Sequence, residues 1–181
     1  NKALTDLKPL ADLQALRKLH LVELEAMDLT PLSKLTKLEE LNLAKLPPEA
    51  LENWKPPTGL KTLIFSPGPD TDLNAFFSSI NAIEKLRVTD ARHSDLRALV
   101  DAVKGKESLV DLDLSMCRIS DATPLADLPN LTRLSLFGNR VENLEPIGKL
   151  EKLTSLTITG NRVKDLSPLV GCKKLTTLSL F

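Results

Sequence analysis

Aromatic side chains are scarce in this sequence, which has no tyrosine, one tryptophan and five phenylalanines. Proteins that hold single-stranded nucleic acid stack its bases on aromatic platforms, and few are on offer. An excess of positive charge is also missing, since Lys+Arg and Asp+Glu number 24 each. No net field therefore draws in nucleic acid or an anionic membrane surface by counterion release. Nucleic acid is excluded as the expected partner. No run approaches the ~18 consecutive apolar residues of a membrane-spanning helix, so no membrane insertion is expected. The opening residues Asn1-Lys2-Ala3 show neither a charged leader nor an apolar signal core.

Residues that carry chemistry are few and scattered. The histidines are His20 and His93, the cysteines Cys117 and Cys172, and glycine is limited to 7 residues, too few for a phosphate cradle. No H-E-x-x-H, G-x-S-x-G or metal-spaced Cys/His cluster occurs. The expectation is a protein without catalytic residues, metal or cofactor.

Leucine is abundant, at 39 residues, and it is periodic. Apolar triplets of the form L-x-x-L-x-L begin at Leu16, Leu38, Leu60, Ile83, Leu109, Leu131, Leu153 and Leu175, with separations of 22, 22, 23, 26, 22, 22 and 22. The L-x-L alternation is a short strand with one buried face. A second apolar set follows at spacing three, as in Val141, Leu144, Ile147 and Leu150. Proline recurs at one offset, at Pro9, Pro31, Pro124, Pro146 and Pro168. Such a segment suits a tight turn or one-turn helix, where the fixed φ of proline is welcome and its missing donor harmless. One strand plus one return cannot bury its apolar side alone, so the units must stack.

The segments Leu131–Leu150 (LTRLSLFGNRVENLEPIGKL) and Leu153–Cys172 (LTSLTITGNRVKDLSPLVGC) resemble the leucine-rich repeat. They are similar to the 22-residue kind with a D-L-x-P-L return found in bacterial internalins and in the leucine-rich regulatory subunit of protein phosphatase 1. The resemblance implies an α/β leucine-rich repeat solenoid, with a parallel sheet on the concave face and turns and short helices on the convex face. One such domain of about eight repeats is expected over residues 1–181, with irregular longer repeats at about 44–108. The family's turn Asn appears as Asn139 and Asn161, with Cys117 at the same offset; Leu24, Leu46, Gly68 and Ala91 depart from it. An Asn amide can satisfy backbone groups that stacking would otherwise bury unpaired. Cys172 takes a core position two and a half repeats from Cys117. At ~5 Å of strand spacing per repeat the two thiols are beyond disulfide reach. Free thiols suit a reducing compartment better than a disulfide-capped ectodomain.

In the irregular middle lie six of the 12 prolines and Trp54, Phe65, Phe76 and Phe77. A short helix over Glu49–Trp54 is expected, with a second carrying Leu73, Phe76, Phe77 and Ile80 behind a cap at Asp70 or Thr71, and a third carrying Leu96, Leu99, Val100 and Val103 behind Ser94 or Asp95. The aromatics either fill divergent local cores or form a bulge that meets another domain.

Strand residues between the buried leucines point to the concave face. At its centre they are Lys85 and Arg87, then Asp111 and Asp113, then Arg133, with Phe137 at the edge. One reading is lateral ion pairing between neighbouring strands, worth about 0–1 kcal/mol per exposed pair. The other is a patterned recognition patch for a protein partner. A secondary candidate is Arg118, Arg140 and Arg162, one per repeat just past the turn, repelling by roughly 0.8 kcal/mol per neighbouring pair in water. Either Glu142, Asp121 and Asp165 neutralise them, or they meet an acidic partner.

Because solenoids of this family bind many unrelated partners, the resemblance implies protein–protein recognition without naming the partner. It also suggests a bacterial effector acting in a reducing host cytosol, a surface factor, or a protein of the bacterial cytoplasm. Two alternatives are a substrate-recruiting domain for an enzyme encoded outside this chain and a structural spacer. Leu4, Leu7, Leu10 and Leu13 look like a return without its strand, and Leu175, Leu178 and Leu180 like a strand without its return, so a longer chain and self-association of this piece are expected.

Overall fold

The computed structural model describes residues 4–26, 28–89 and 96–180. Ala91 of the turn series, His93, the caps Ser94 and Asp95, and the terminal concave position Phe181 lie outside the described residues.

Each L-x-L alternation forms a strand, giving β1 (Lys18–His20), β2 (Glu40–Leu43), β3 (Thr62–Phe65), β4 (Lys85–Val88), β5 (Asp111–Asp113), β6 (Arg133–Ser135), β7 (Ser155–Thr157) and β8 (Thr177–Ser179). They make one parallel sheet in sequence order. Leu41, Leu63, Leu86, Leu112, Leu134 and Leu156 stand directly opposite one another from strand to strand and are all buried. The unequal separations of 23 and 26 leave this register intact, because the extra residues enter the returns.

The regular returns are single turns of 3-10 helix at Lys8–Asp12, Thr30–Lys34, Thr123–Asp127 and Ser167–Gly171, and a short helix α3 at Glu145–Gly148, all with proline in the first turn. Their caps have a chemical basis that the proline offset alone does not show. Three residues before each proline stands Asp6, Asp28, Asp121, Asn143 or Asp165, whose Oδ1 accepts the N–H two residues on, at 2.8–2.9 Å. This side chain does for each return what an N-cap does for a helix.

The same contacts hold the carboxyls of Asp28, Asp121 and Asp165 below the usual carboxylate range. The threonine hydroxyl is the larger cause at Asp28 and Asp121, and the Ser167 N–H is the larger at Asp165. A pKa lowered on folding stabilises the protein above the unfolded value near 3.8, and the contribution disappears as pH falls through the folded values. Melting temperature is expected to fall steadily between about pH 5 and pH 2. Asn143 performs the same cap without titrating, so Asp121→Asn should keep stability at pH 7 and flatten part of the acid limb in thermal melts. An unaltered acid limb would mean that the cap carboxyl is not what titrates.

Turns after the strands need a left-handed residue. Gly138 and Gly160 supply it with φ of 68° and 72°, whereas Glu23, Lys45 and Met116 adopt φ of 58°, 60° and 60° at the same offset. Past this residue Asn139 is buried; its Oδ1 accepts the Ile119 N–H at 2.9 Å and its Nδ2 donates to the carbonyls of Leu114 and Leu136 at 2.9 and 2.8 Å. Asn161 repeats the arrangement with Val141, Leu136 and Ile158. Cys117 reproduces the donor half, its thiol reaching the carbonyls of Val88 and Ser115 at 3.5 and 3.4 Å. Asn139→Ala leaves these groups unpaired and should cost about 1–3 kcal/mol. A denaturant titration with an unchanged midpoint would contradict the buried network.

In the middle, the expected helix after Pro48 is a single 3-10 turn, Pro48–Leu51, ending before Trp54. The second helix, α1, runs Leu73–Phe77. Its cap is neither Asp70 nor Thr71 but Asp72, which accepts the Ala75 N–H at 2.9 Å, while the Thr71 hydroxyl accepts from Gly68. Ile80 lies beyond the helix and is buried all the same. The third, α2, runs Leu96–Val103 and buries Leu99, Val100 and Val103. Trp54, Phe65, Phe76 and Phe77 pack together with ring centroids 5.2–6.0 Å apart and are all buried. They fill a local core, as the first of the two readings has it. Trp54 Nε1 is buried there without a hydrogen-bond partner among the described residues. The outermost repeats, packed on one side only, leave Leu4, Leu13, Leu166, Val170, Leu178 and Leu180 exposed.

Candidate functional site

The concave face follows from the alternation that buries the leucines. On β4, β5 and β6 the register sets Lys85 opposite Asp111, Arg87 opposite Asp113, and Asp111 opposite Arg133. Two of these neighbours close into ion pairs, Arg87 Nε to Asp113 Oδ2 at 3.2 Å and Arg133 Nε to Asp111 Oδ2 at 2.9 Å. Asp113 also accepts the backbone N–H of Ser115 at 2.9 Å and the Ser115 hydroxyl, which stands 2.9 Å from that of Ser135. Both carboxylate side chains are 28% exposed, against 54% for Arg87 and 50% for Arg133. The acids thus sit low in the sheet, with the guanidinium heads fixed over them.

Lateral pairing is therefore real, and it leaves a remainder. Lys85 is exposed and makes no ion pair with another described residue. Phe137, in line with Ser115 on the neighbouring repeat, is 44% exposed. The structure brings Lys85, Arg87, Asp111, Asp113 and Arg133 together on three adjacent strands, with Phe137 at their edge. A second paired cluster stands at the other end of the same face. On β1 and β2 the Glu40 carboxylate meets Lys18 Nζ and His20 Nε2, each at 2.9 Å, and is held below its usual range by Lys18 first and His20 second. Its signal was the opposite charge one repeat away at the same offset.

The arginine series lies on the turn edge, with Arg118, Arg140 and Arg162 all exposed. Local neutralisation applies to one of the three, Arg162 pairing with Glu142 at 3.7 Å. Asp121 and Asp165 instead cap their returns. Arg118 and Arg140 make no ion pair with a described residue. Met116, 62% exposed, sits beside them at an offset that belongs to a left-handed turn residue, where the repeat pattern gives no sign of an apolar anchor.

Among the described residues no three His, Cys, Asp or Glu side chains come together to hold a metal ion. Both cysteines are buried, and burial pushes the Cys172 thiol up from its ordinary pKa. No helix of the described residues is long and apolar enough to cross a membrane.

Stacked one-strand repeats, a parallel concave sheet and fixed polar side chains along it define a repeat solenoid of the interaction-scaffold class. The comparisons make the class specific. A family model for leucine-rich repeats in two copies matches residues 107–149. The crystal structure of an internalin C2 from Listeria monocytogenes is 26% identical, with a TM-score of 0.56, and the match covers 100% of this chain and 78% of that one. Human 5T4, also called Wnt-activated inhibitory factor 1 or trophoblast glycoprotein, shares the fold at 21% identity and a TM-score of 0.67, with coverage of 99% and 72%. No curated protein matches the sequence. The chain folds as a leucine-rich repeat solenoid and is similar to an internalin.

Proposed function

We propose that the protein recognises a partner protein through the centre of its concave face, with Lys85, Arg87, Asp111, Asp113, Arg133 and Phe137 as the contact residues, and that it serves in a bacterial effector or surface factor. One observation carries the reading. Paired acids hold Arg87 and Arg133 in place beside the uncompensated Lys85 and the half-exposed Phe137. Side chains already ordered in the unbound protein lose less freedom on association, so pairing prepares such a surface for binding. Both signs of charge around an aromatic contact give register and specificity more than raw affinity. The bacterial setting is supported by the likeness to an internalin C2 at 26% identity. Residues 1–181 act in this reading as one binding domain.

The test separates pairing from recognition. Asp111→Arg combined with Arg133→Asp keeps an ion pair between β5 and β6 but presents its charges in reverse. Lys18→Glu with Glu40→Lys is the matched exchange at the far end of the same face. Affinity capture with the intact chain should lose the partner with the first pair and keep it with the second, at nearly equal melting temperatures. Retention of capture by the first pair would reduce those residues to sheet stabilisers.

A further inference from the structure

We infer that the turn edge formed by Met116, Arg118 and Arg140 is a second interaction surface, which takes an acidic, extended peptide segment carrying apolar side chains. It stands or falls separately from the concave-face reading, because its charged residues and its apolar contact are different ones.

Met116 occupies a position where a side chain is costly. Its φ is 60°, and the next two repeats place Gly138 and Gly160 there. At the same offset Glu23 and Lys45 bear the same backbone conformation and pair with each other. Met116 has no such ion pair, and its thioether lies over Gly138, where a Cβ would come within 2.3 Å of Sδ. The absent Cβ of Gly138 is what makes room for it. Even so seated, Met116 is 62% exposed, while its N–H is held by the Phe137 carbonyl at 2.7 Å. A flexible, polarisable thioether adapts to a range of aliphatic or aromatic partners.

Arg118 and Arg140 flank this contact on consecutive repeats. Arg118 is itself left-handed, with φ of 58°. Both are exposed and without an ion-pair partner among the described residues, since Asp121 is engaged by Thr123 and Glu142 by Arg162. Two uncompensated guanidinium groups one repeat apart repel each other and call for anions. Carboxylates at alternate positions of an extended peptide lie about 6.6 Å apart, close to the roughly 5 Å between stacked repeats, so one peptide can meet both. Each guanidinium can accept a carboxylate in two-pronged fashion. The residue between the two acids faces away from the arginines, and a residue two positions beyond either acid, on the same face as the acids, supplies the apolar group for Met116. A nucleic-acid backbone or a lipid surface fits less well, because the net charge is zero and only two cations of the series are uncompensated.

The experiment titrates the intact chain against a fluorescein-labelled peptide, Leu-Ser-Glu-Ser-Glu-Ser-Leu, whose glutamates and leucines share one face when extended, read by fluorescence anisotropy. Saturable binding is expected below about 1 mM, weakening as salt rises because exposed charges are screened. Arg118→Ser with Arg140→Ser should weaken it about tenfold, two exposed pairs each contributing a factor of a few. Met116→Gly removes the thioether while suiting the left-handed turn, so it should weaken binding several-fold without loss of melting temperature. A glutamine-for-glutamate peptide should not bind, and the Asp111→Arg/Arg133→Asp exchange should leave binding unchanged. The inference is overturned by the absence of saturable binding, by full binding in the arginine double variant, or by attachment to phosphatidylserine vesicles or a single-stranded oligonucleotide in place of the peptide.

Discussion

Truncation of Leu134 to alanine is expected to lower the unfolding free energy by about 2–5 kcal/mol, through lost burial and the cavity left behind. Leu134 is 2% exposed and stands in the row of central leucines between Leu112 and Leu156. The walls of that cavity are the same residues in the adjacent repeats, so they cannot close in without breaking register. Stability in a solenoid is a sum of repeat and nearest-neighbour contributions, and the loss should therefore spread to β5 and β7 before it reaches β1. Hydrogen exchange should show faster opening of the β5 to β7 amides than of β2 and β3. A chemical-denaturation midpoint within error of the parent would mean that Leu134 is not in the core.

The largest functional effect is expected from Asp111→Lys combined with Asp113→Lys. The change turns a cluster of three cations and two acids into five cations and opens both ion pairs. Basic groups of a partner that paired with the acids would then meet like charges, which costs several kcal/mol across an interface. Capture should fall by about a hundredfold or more. The fold should suffer little, because exposed pairs of this kind contribute about 0–1 kcal/mol each. Melting temperature is expected to shift by a few degrees at most. Undiminished capture at parental stability would remove the two acids from the contact surface.

How far the residues announce these features depends on whether the interaction is periodic. The L-x-L triplets impose a period of two at each strand and a common offset between strands, so the eight strands and their register are legible even across the separations of 23 and 26. Asn139 and Asn161 are legible for the same reason. The return caps were periodic as well, with Asp or Asn three residues before each proline, but the proline accounts for the turn by itself and masks the need for a cap. Asp72 in place of Asp70 or Thr71 is a local choice among neighbouring acceptors, settled by which one reaches the Ala75 N–H. Alternation puts Lys85, Arg87, Asp111, Asp113 and Arg133 on one face, and lateral pairing and recognition are equally compatible with that placement. Only the folded geometry distributes the contacts, giving Asp113 to Arg87 and Asp111 to Arg133 and leaving Lys85 over. Met116 is illegible because its offset belongs to glycine in the repeats that define the pattern.

In the proposed reading the partner sits on the middle of the concave sheet. Photo-crosslinking tests it most directly, with p-benzoylphenylalanine placed singly at Lys85 or Ser135 on the concave face, at Arg118 on the turn edge and at Lys104 behind α2. Covalent attachment of the captured protein is predicted from Lys85 and Ser135 and not from Lys104. Attachment from Lys104 or Arg118 with none from Lys85 or Ser135 would contradict it.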